Sequence, residues 1–288
     1  MKSKRIAILL HENDEKPMLK SSLISKMAIC WENDGHEVFY LYGTDQFVPA
    51  DLIFMHIDHT VVPDSYFEFA QQYPRVINGD VKDIRKSTLN NDLLHLTKDW
   101  DGPVIVKSDY NCAGIPERLR NGALGKIEKK MLSMFNSLNV DLHHPKFRSS
   151  LDYQVFDHLE DVPKILFYYP SVVVQKFIPE MENEQYCVRT VSFLGDNMTP
   201  KRLKGPNPIV KGETASAIEY DIETHPEILS KIKELKFDYG KFDYVVVDGK
   251  PILLDINKTV GVSPNLVSNH GIDKTYRHHA DGIYQFLS

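Results

Sequence analysis

The sequence predicts an α/β chain, with a small parallel-sheet unit first and a β-hairpin near the C-terminus. Two observations carry this. Lys4–Leu10, His36–Tyr42 and Asp51–His56 are short apolar runs that read as strands. Ser21–Asn33, after the first of them, has helical apolar spacing at Leu23, Ile24, Met27, Ala28 and Trp31. Strand–helix–strand at these lengths argues a parallel sheet. Far down the chain, Phe242–Val247 and Pro251–Ile256 flank Asp248-Gly249-Lys250. A Gly-centred turn between β-rich runs predicts a hairpin.

Length and composition narrow the function classes. At 288 residues the chain has room for a sizeable core in one large domain or several small ones. Its 42% hydrophobic and 26% charged residues are ordinary for a soluble globular protein. A net charge of −6 gives no general attraction to nucleic acid or anionic membrane. No apolar run approaches membrane-spanning length, and Ile6–Leu10 is too short for a signal-peptide core. Cys30, Cys112 and Cys187 are widely spaced and lack a Cys-x-x-Cys, which argues against structural zinc and for a reducing cytoplasm. No Gly-x-Gly-x-x-Gly follows the first strand, so a dinucleotide fingerprint is absent.

The remaining elements follow in order. His11, Glu12 and Asp14 come after the first strand, where open sheets bind ligands, although residues of these types are most often solvated. Val81–Leu96, with Lys86, reads as a helix capped by Asp80 or Asp83. Gly102–Ser108 reads as a strand ending in Lys107, followed by a small-residue loop over 109–117. Ala123–Leu138 is an amphipathic helix, and Asp141–Ser150 a polar, basic connection with His143 and His144. Val172–Val174 is an apolar strand that runs into Gln175-Lys176-Phe177-Ile178. Tyr186–Leu194 alternates as a strand, turning at Gly195-Asp196, with Arg189 inside it. Lys201, Arg202, Lys204 and Lys211 form a basic stretch broken by prolines. Pro226–Leu235 reads as a helix, and Ser263–His270 and Thr275–Phe286 as closing segments.

The hairpin carries the candidate chemistry. Asp255 and Asn257, two apart, share one strand face. Asp243 joins them if the turn has three residues or if a bulge restores parity; a plain two-residue turn sends it to the other face. Leu254 and Ile256 are then expected in the core. Three oxygen-bearing side chains on one face would suit a hard cation. A lone Asp at a strand end is more often solvated, but the strand before Asp255 looks buried.

Asp243, Asp255 twelve positions on, Asn257 and then Gly261 resemble the metal-binding signature of the ATP-grasp superfamily. Asp255 stands where that pattern has Glu, and Val260 where it has Pro. The strand ending in Lys107 with its small-residue loop is similar to the phosphate-covering element of the same family. Gln175-Lys176-Phe177-Ile178 is similar to its hinge. The motifs cover about residues 80–265 and, more loosely, the segment before them.

The resemblance implies an ATP-grasp fold in which nucleotide lies between two α+β lobes, behind an N-terminal pre-ATP-grasp α/β domain. It divides the chain into residues 1–80, a small lobe over 81–175 and a large lobe over 176–288. It implies ATP binding by Lys86, Lys107, Gln175, Lys176, Phe177 and Ile178, with Glu182 or Glu184 on the ribose. Magnesium, or manganese in its place, falls to Asp243, Asp255 and Asn257. Lys107, Arg189 and Arg202 are the implied catalytic cations, although a structural salt bridge is the plainer role for Arg189. The implied activity joins a small-molecule or peptide carboxylate to an amine, or less often a thiol, through an acyl phosphate. A kinase acting on a hydroxyl and a nucleotide-binding regulator without turnover are the alternatives. Asp255→Asn is expected to keep the fold.

Overall fold

The computed structural model describes residues 2–14, 22–89, 93, 100–120, 147, 149–220, 222–262 and 272–287. Three sheets occupy consecutive stretches of the chain. The first contains β1 (Arg5–Leu10), β2 (Glu37–Tyr42), β3 (Leu52–Met55) and β4 (Val76–Ile77), all parallel, in the order β2-β1-β3-β4. Strand alternation splits the core of this sheet. Ile6, Ile8 and Leu10 meet helix α1 (Leu23–Asn33) on one face. Ala7 and Leu9 meet helix α2 (Asp64–Ala70) on the other.

Two short helices follow, α3 (Lys86–Leu89) and α4 (Ile115–Arg120). The second sheet is antiparallel, with β5 (Val104–Ser108) between β6 (Gln154–Phe156) and β7 (Val172–Lys176). Among its described residues the helix expected over 81–96 is helical at Lys86–Leu89 and at Leu93, but not over 81–85. Val81 and Ile84 are drawn instead into the core of the third sheet, and Asp83 binds Arg85 rather than capping a helix. The helix expected over 123–138, nearly all of the 141–150 connection and the segment 263–270 lie outside the described residues.

The third sheet runs β11 (Ala217–Glu219), β10 (Asn197–Gly205), β9 (Gln185–Leu194), β12 (Tyr239–Val247), β13 (Lys250–Asn257). A short β8 (Glu180–Glu182) also pairs with β9. Helix α5 (Pro226–Glu234) packs Ile228 and Ile232 onto one face, against Phe242, Tyr244, Leu253 and Ile256. His225 accepts from the Glu227 amide at its N-terminus.

The hairpin turn has two residues, since Val247 pairs with Lys250. Asp248 and Gly249 both have positive φ (51° and 74°), which suits the right-handed twist of the strands. Such a turn alone would put Asp243 and Asp255 on opposite faces. The register slips by one between Asp243 and Tyr244, because Tyr244 pairs with Leu253 and Asp243 with Asp255. Leu254 is the extra residue of the bulge, and its insertion brings the two carboxylates opposite one another. The core position expected of Leu254 is taken by Leu253, which packs with Ile256.

Helix α6 (Ile272–Asp281) and the 3-10 turn Gly282–Gln285 close the chain against α1. The Trp31 indole donates to the Ala280 carbonyl at 2.9 Å, buried. Leu194 and Tyr239 of the third sheet share the core of α1 and β1, so the first unit and the last sheet are packed together. Among the described residues no helix is long and apolar enough to cross a membrane.

A Cβ on Gly282 would lie 2.0 Å from the Leu194 carbonyl oxygen. Gly282→Ala therefore forces the closing turn away from β9. We expect a loss of about 1–3 kcal/mol, read as a lower urea midpoint with an unchanged slope. An unshifted midpoint would mean that this contact yields freely.

Candidate active site

The third sheet presents two ordered rows on the face opposite α5. Lys201, Thr190, Asp243 and Asp255 are successive partners across β10, β9, β12 and β13. The adjacent row is Thr199, Ser192, Lys241 and Asn257. Opposing residues on neighbouring strands share a face, so side chains far apart in sequence converge here.

The second sheet faces this array across a cleft. Lys86, Ile105 and Lys107 line one wall; Asp243, Val245, Leu254 and Asp255 line the other; Lys176, Phe177, Ile178 and Pro179 line the connection between them. Pro208–Lys211, from the basic stretch, adds a further side. Ile105 and Val245 lie one strand step nearer the connection than Lys107 and Asp243. The cleft is thus apolar near residues 177–179 and charged beyond.

Three of its six charged lining residues, Lys86, Lys107 and Asp243, are buried. Lys86 is 2% exposed; its Nζ lies 3.2 Å from Asp255 Oδ1 and donates to the Tyr110 carbonyl. Burial acts to lower the Lys86 pKa, but the Asp255 charge outweighs it and the ammonium is held above its usual range. Lys107 has weaker support, from the Leu254 carbonyl at 3.4 Å. Burial, together with the Lys86 charge, pushes its pKa down to about 7. Asp243 is 7% exposed and accepts from Lys241 Nζ at 3.0 Å. Burial acts to raise its pKa, yet Lys241 and Lys211 hold it below the ordinary carboxylate value.

The loop after Lys107 makes a 3-10 turn at Asn111–Gly114. Cys112 and Ala113 adopt φ of 47° and 57°, left-handed conformations that cost non-glycine residues about 1–2 kcal/mol each. Asn111 fixes this turn, donating from its amide N–H to Thr60 Oγ1 and from Nδ2 to Asn257 Oδ1.

No protein-family model matches the sequence, and no curated protein matches it. Solved structures do match the fold. D-alanine–D-alanine ligase from Bacillus anthracis superposes with a TM-score of 0.53 at 15% identity, over 99% of this chain and 97% of that one. The same enzyme complexed with ATP gives 0.52 at 14% identity, with the same coverage. A RimK domain ATP-grasp protein from Sphaerobacter thermophilus gives 0.50 at 13% identity, over 97% of this chain and 99% of that one. The chain has the ATP-grasp fold. At these identities the likeness is one of fold.

On this ATP-grasp framework the structure gathers Lys86, Lys107, Lys176, Phe177, Ile178, Asp243 and Asp255 around one cleft. Asn257 lies in the neighbouring row, its Oδ1 accepting from Asn111 and from the Thr259 amide. Gln175 is 1% exposed, on the sheet face that carries Lys107, and its Oε1 has no hydrogen-bond partner among the described residues.

Four expected residues fall elsewhere. Arg189 and Arg202 pair with each other across β9 and β10, on the face away from Asp243. Arg189 binds Glu180 through Nε and Nη2, and Arg202 binds Glu180 and Glu182. They are structural cations, because strand parity turns them from the cleft. Glu184 sits exposed in the β8–β9 turn with φ of 62°, and Glu182 is occupied by Arg202 and Lys204. The cations on the cleft face are Lys201 and Lys241. Lys241 was legible from its spacing, since it precedes Asp243 by two. Lys201 required the β9–β10 register.

Asp243 and Asp255 oppose each other, and Asn257 follows in the next row. These are hard oxygen donors, and the two carboxylates repel each other at this spacing. Two lysines offset that repulsion, and a divalent cation would do the same. The set therefore fits magnesium, with water and ligand oxygens completing the shell. Among the described residues no group of three or more His, Cys, Asp or Glu is arranged to hold a metal by itself.

The Lys86–Asp255 pair changes the expectation for Asp255→Asn. The substitution removes the carboxylate charge that faces a buried ammonium and leaves it neutral carbonyl acceptors there. Because Asp255 is 21% exposed at its side chain, the loss is discounted to about 1–3 kcal/mol. Urea unfolding of Asp255→Asn, Lys86→Met and the double variant measures it. A double-mutant coupling near zero would show that the pair contributes nothing.

Proposed function

We propose that the chain binds ATP with magnesium in this cleft and acts as an ATP-dependent carboxylate–amine ligase. The observation that carries the reading is the single cleft in which an apolar hinge end meets Lys86, Lys107, Asp243 and Asp255. A flat base fits the apolar end, and a polyanion with its cation fits the charged end. The adenine would lie near Phe177, Ile178 and Val245, and its triphosphate against Lys86, Lys107 and Lys211. Magnesium, held by Asp243, Asp255 and Asn257, would neutralise charge on the transferred phosphoryl group.

The chemistry needs no protein nucleophile. An oxygen of the substrate carboxylate attacks the γ-phosphorus, the bond to the β-γ bridging oxygen breaks, and ADP leaves. The amine nitrogen then attacks the acyl carbon, loses a proton, and inorganic phosphate departs. Lys107 and Lys86 stabilise charge on the phosphoryl oxygens. Lys241 and Lys201, on the cleft face beside Asp243, are the cations available to the acyl phosphate. They take over the roles that the motif reading gave to Arg189 and Arg202. The free cysteines Cys30, Cys112 and Cys187 and the need for ATP suit a cytoplasmic protein.

ADP release across a panel of carboxylic acids and amines tests the reading. Acid-dependent hydroxamate formation with hydroxylamine is the expected result. A stable phosphorylated product would favour a kinase, and magnesium-dependent ATP binding without ADP would favour a regulator. Asp243→Asn should abolish magnesium dependence while its shape is kept.

Lys107 gives a pH signature. Its folded pKa is near 7, and a bound triphosphate favours the protonated form. Above pH 7 the free site has shed its proton and must take one up on binding. ATP affinity should therefore fall as pH rises from 7 to 9, with proton uptake seen by calorimetry in buffers of different ionisation enthalpy. Lys107→Ala should remove the uptake and weaken ATP by about 1.5–3 kcal/mol. Uptake that persists in the variant would assign it to another group.

A further inference from the structure

Behind the cleft wall that carries Lys107, one cation is held without a carboxylate. Side chains of β7 alternate across the second sheet. Val173 and Gln175 lie on the face of Lys107, while Val174 and Lys176 lie on the other, with Val104 and Val106. That other face is the core side, where Val104, Val106 and Val174 pack with Leu166 and Tyr169. Lys176 lines the cleft, yet parity sends its side chain behind the sheet. Its Nζ lies 5.2 Å from the centroid of the Trp100 ring. Among the described residues no carboxylate pairs with it. A cation over an indole face is attracted by the ring quadrupole, so Trp100 stands in for the missing acid.

Trp100 is itself fixed at three points. Its ring packs against the core of the second sheet. Its indole N–H donates to the Pro103 carbonyl at 3.3 Å. Gly102 lets the ring come close, since a Cβ there would lie 2.8 Å from Trp100 Cζ2. The Pro103 carbonyl also accepts from the Phe177 amide at 2.8 Å. Trp100 is thus joined to two successive residues of the cleft connection, to Lys176 through its ring and to Phe177 through a shared carbonyl. An antiparallel hydrogen-bonded pair normally exchanges two bonds, but proline has no N–H to return. The edge strand β7 is therefore one bond short where it enters the cleft, and the Trp100 contacts support it there.

We propose that Trp100 is a positioning residue for the nucleotide, gripping Lys176 and Phe177 from behind so that residues 176–178 keep their place at the apolar end of the cleft. Trp100 is not itself among the residues that line the cleft, so it acts only through these two. Lys176 changes role accordingly. The motif resemblance has it bind ATP, whereas its ammonium is engaged by Trp100 and its backbone is what the cleft receives. The word nucleotide rests on the ATP reading of the cleft; the latch rests on the contacts around Trp100.

Calorimetry on the full chain, with magnesium and a non-hydrolysable ATP analogue, tests the latch. Trp100→Leu and Lys176→Met should each weaken the analogue about three- to tenfold. The double variant should be no weaker than either single one, because both break the same contact. Lys176→Arg keeps a cation over the ring and should bind within about twofold of the wild type. Fluorescence supplies a second readout. The sequence has two tryptophans, and Trp31 is fully buried and bound to the Ala280 carbonyl. Emission should change when the analogue binds the wild-type chain, and that change should vanish in Trp100→Phe. The Lys176 variants and the fluorescence keep the test open if Trp100→Leu does not fold. Losses that add in the double variant would mean that Lys176 meets the nucleotide directly, and would overturn the latch. Unchanged affinity in Lys176→Met would overturn it too. No binding by the wild-type chain would instead overturn the ATP reading, an outcome distinct from binding that ignores Trp100.

Discussion

The structure depends on placing two carboxylates, Asp243 and Asp255, opposite each other on neighbouring strands in a partly buried cleft. Like charges at that spacing repel, and burial adds a desolvation cost to each. The surroundings are organised to offset this. Lys241 comes from the same strand, two residues back, and Lys86 comes from the facing wall. The Lys86–Asp255 pair is therefore both an electrostatic repair and a bond across the cleft.

The same constraint explains the bulge. A two-residue Asp-Gly turn is the tightest way to close the hairpin, but its register alone would separate the carboxylates. Leu254 corrects the parity, and its freed carbonyl becomes the acceptor for Lys107. One inserted residue thus sets the metal-facing pair and anchors a lysine of the opposite wall. On the far face, Leu253 and Ile256 remain in the core against α5, so the irregularity does not interrupt packing.

The charged groups of the third sheet are sorted by face. Arg189, Arg202 and Lys204 are bound by Glu180, Glu182 and Glu219, a network that ties β8, β9, β10 and β11 together. Lys201 and Lys241 lie on the face that carries Asp243; Lys241 is paired with Asp243, and among the described residues Lys201 is not bound by a carboxylate cluster of that kind. Burial and the Lys241 charge lower the Lys201 pKa. Cations held by several carboxylates stiffen a sheet; cations left short of counter-charge are suited to an anionic ligand.

The sequence by itself determined the local elements and the residue types at the cleft. Short apolar runs marked β1–β3 and the hairpin, and two-residue periodicity put Asp255 with Asn257. The Lys107 and Phe177–Ile178 stretches were legible because short motifs fixed their place on strand ends. Tertiary structure decided which face each strand turns inward. A hairpin register does not say which side meets the cleft. That choice belongs to the core, which claims Val191, Phe193, Phe242 and Tyr244 and so turns Arg189 outward with them. The bulge at Leu254 and the tie from Lys86 to Asp255 likewise arise from one slipped register or from segments more than a hundred residues apart. Local propensity carries no information about either.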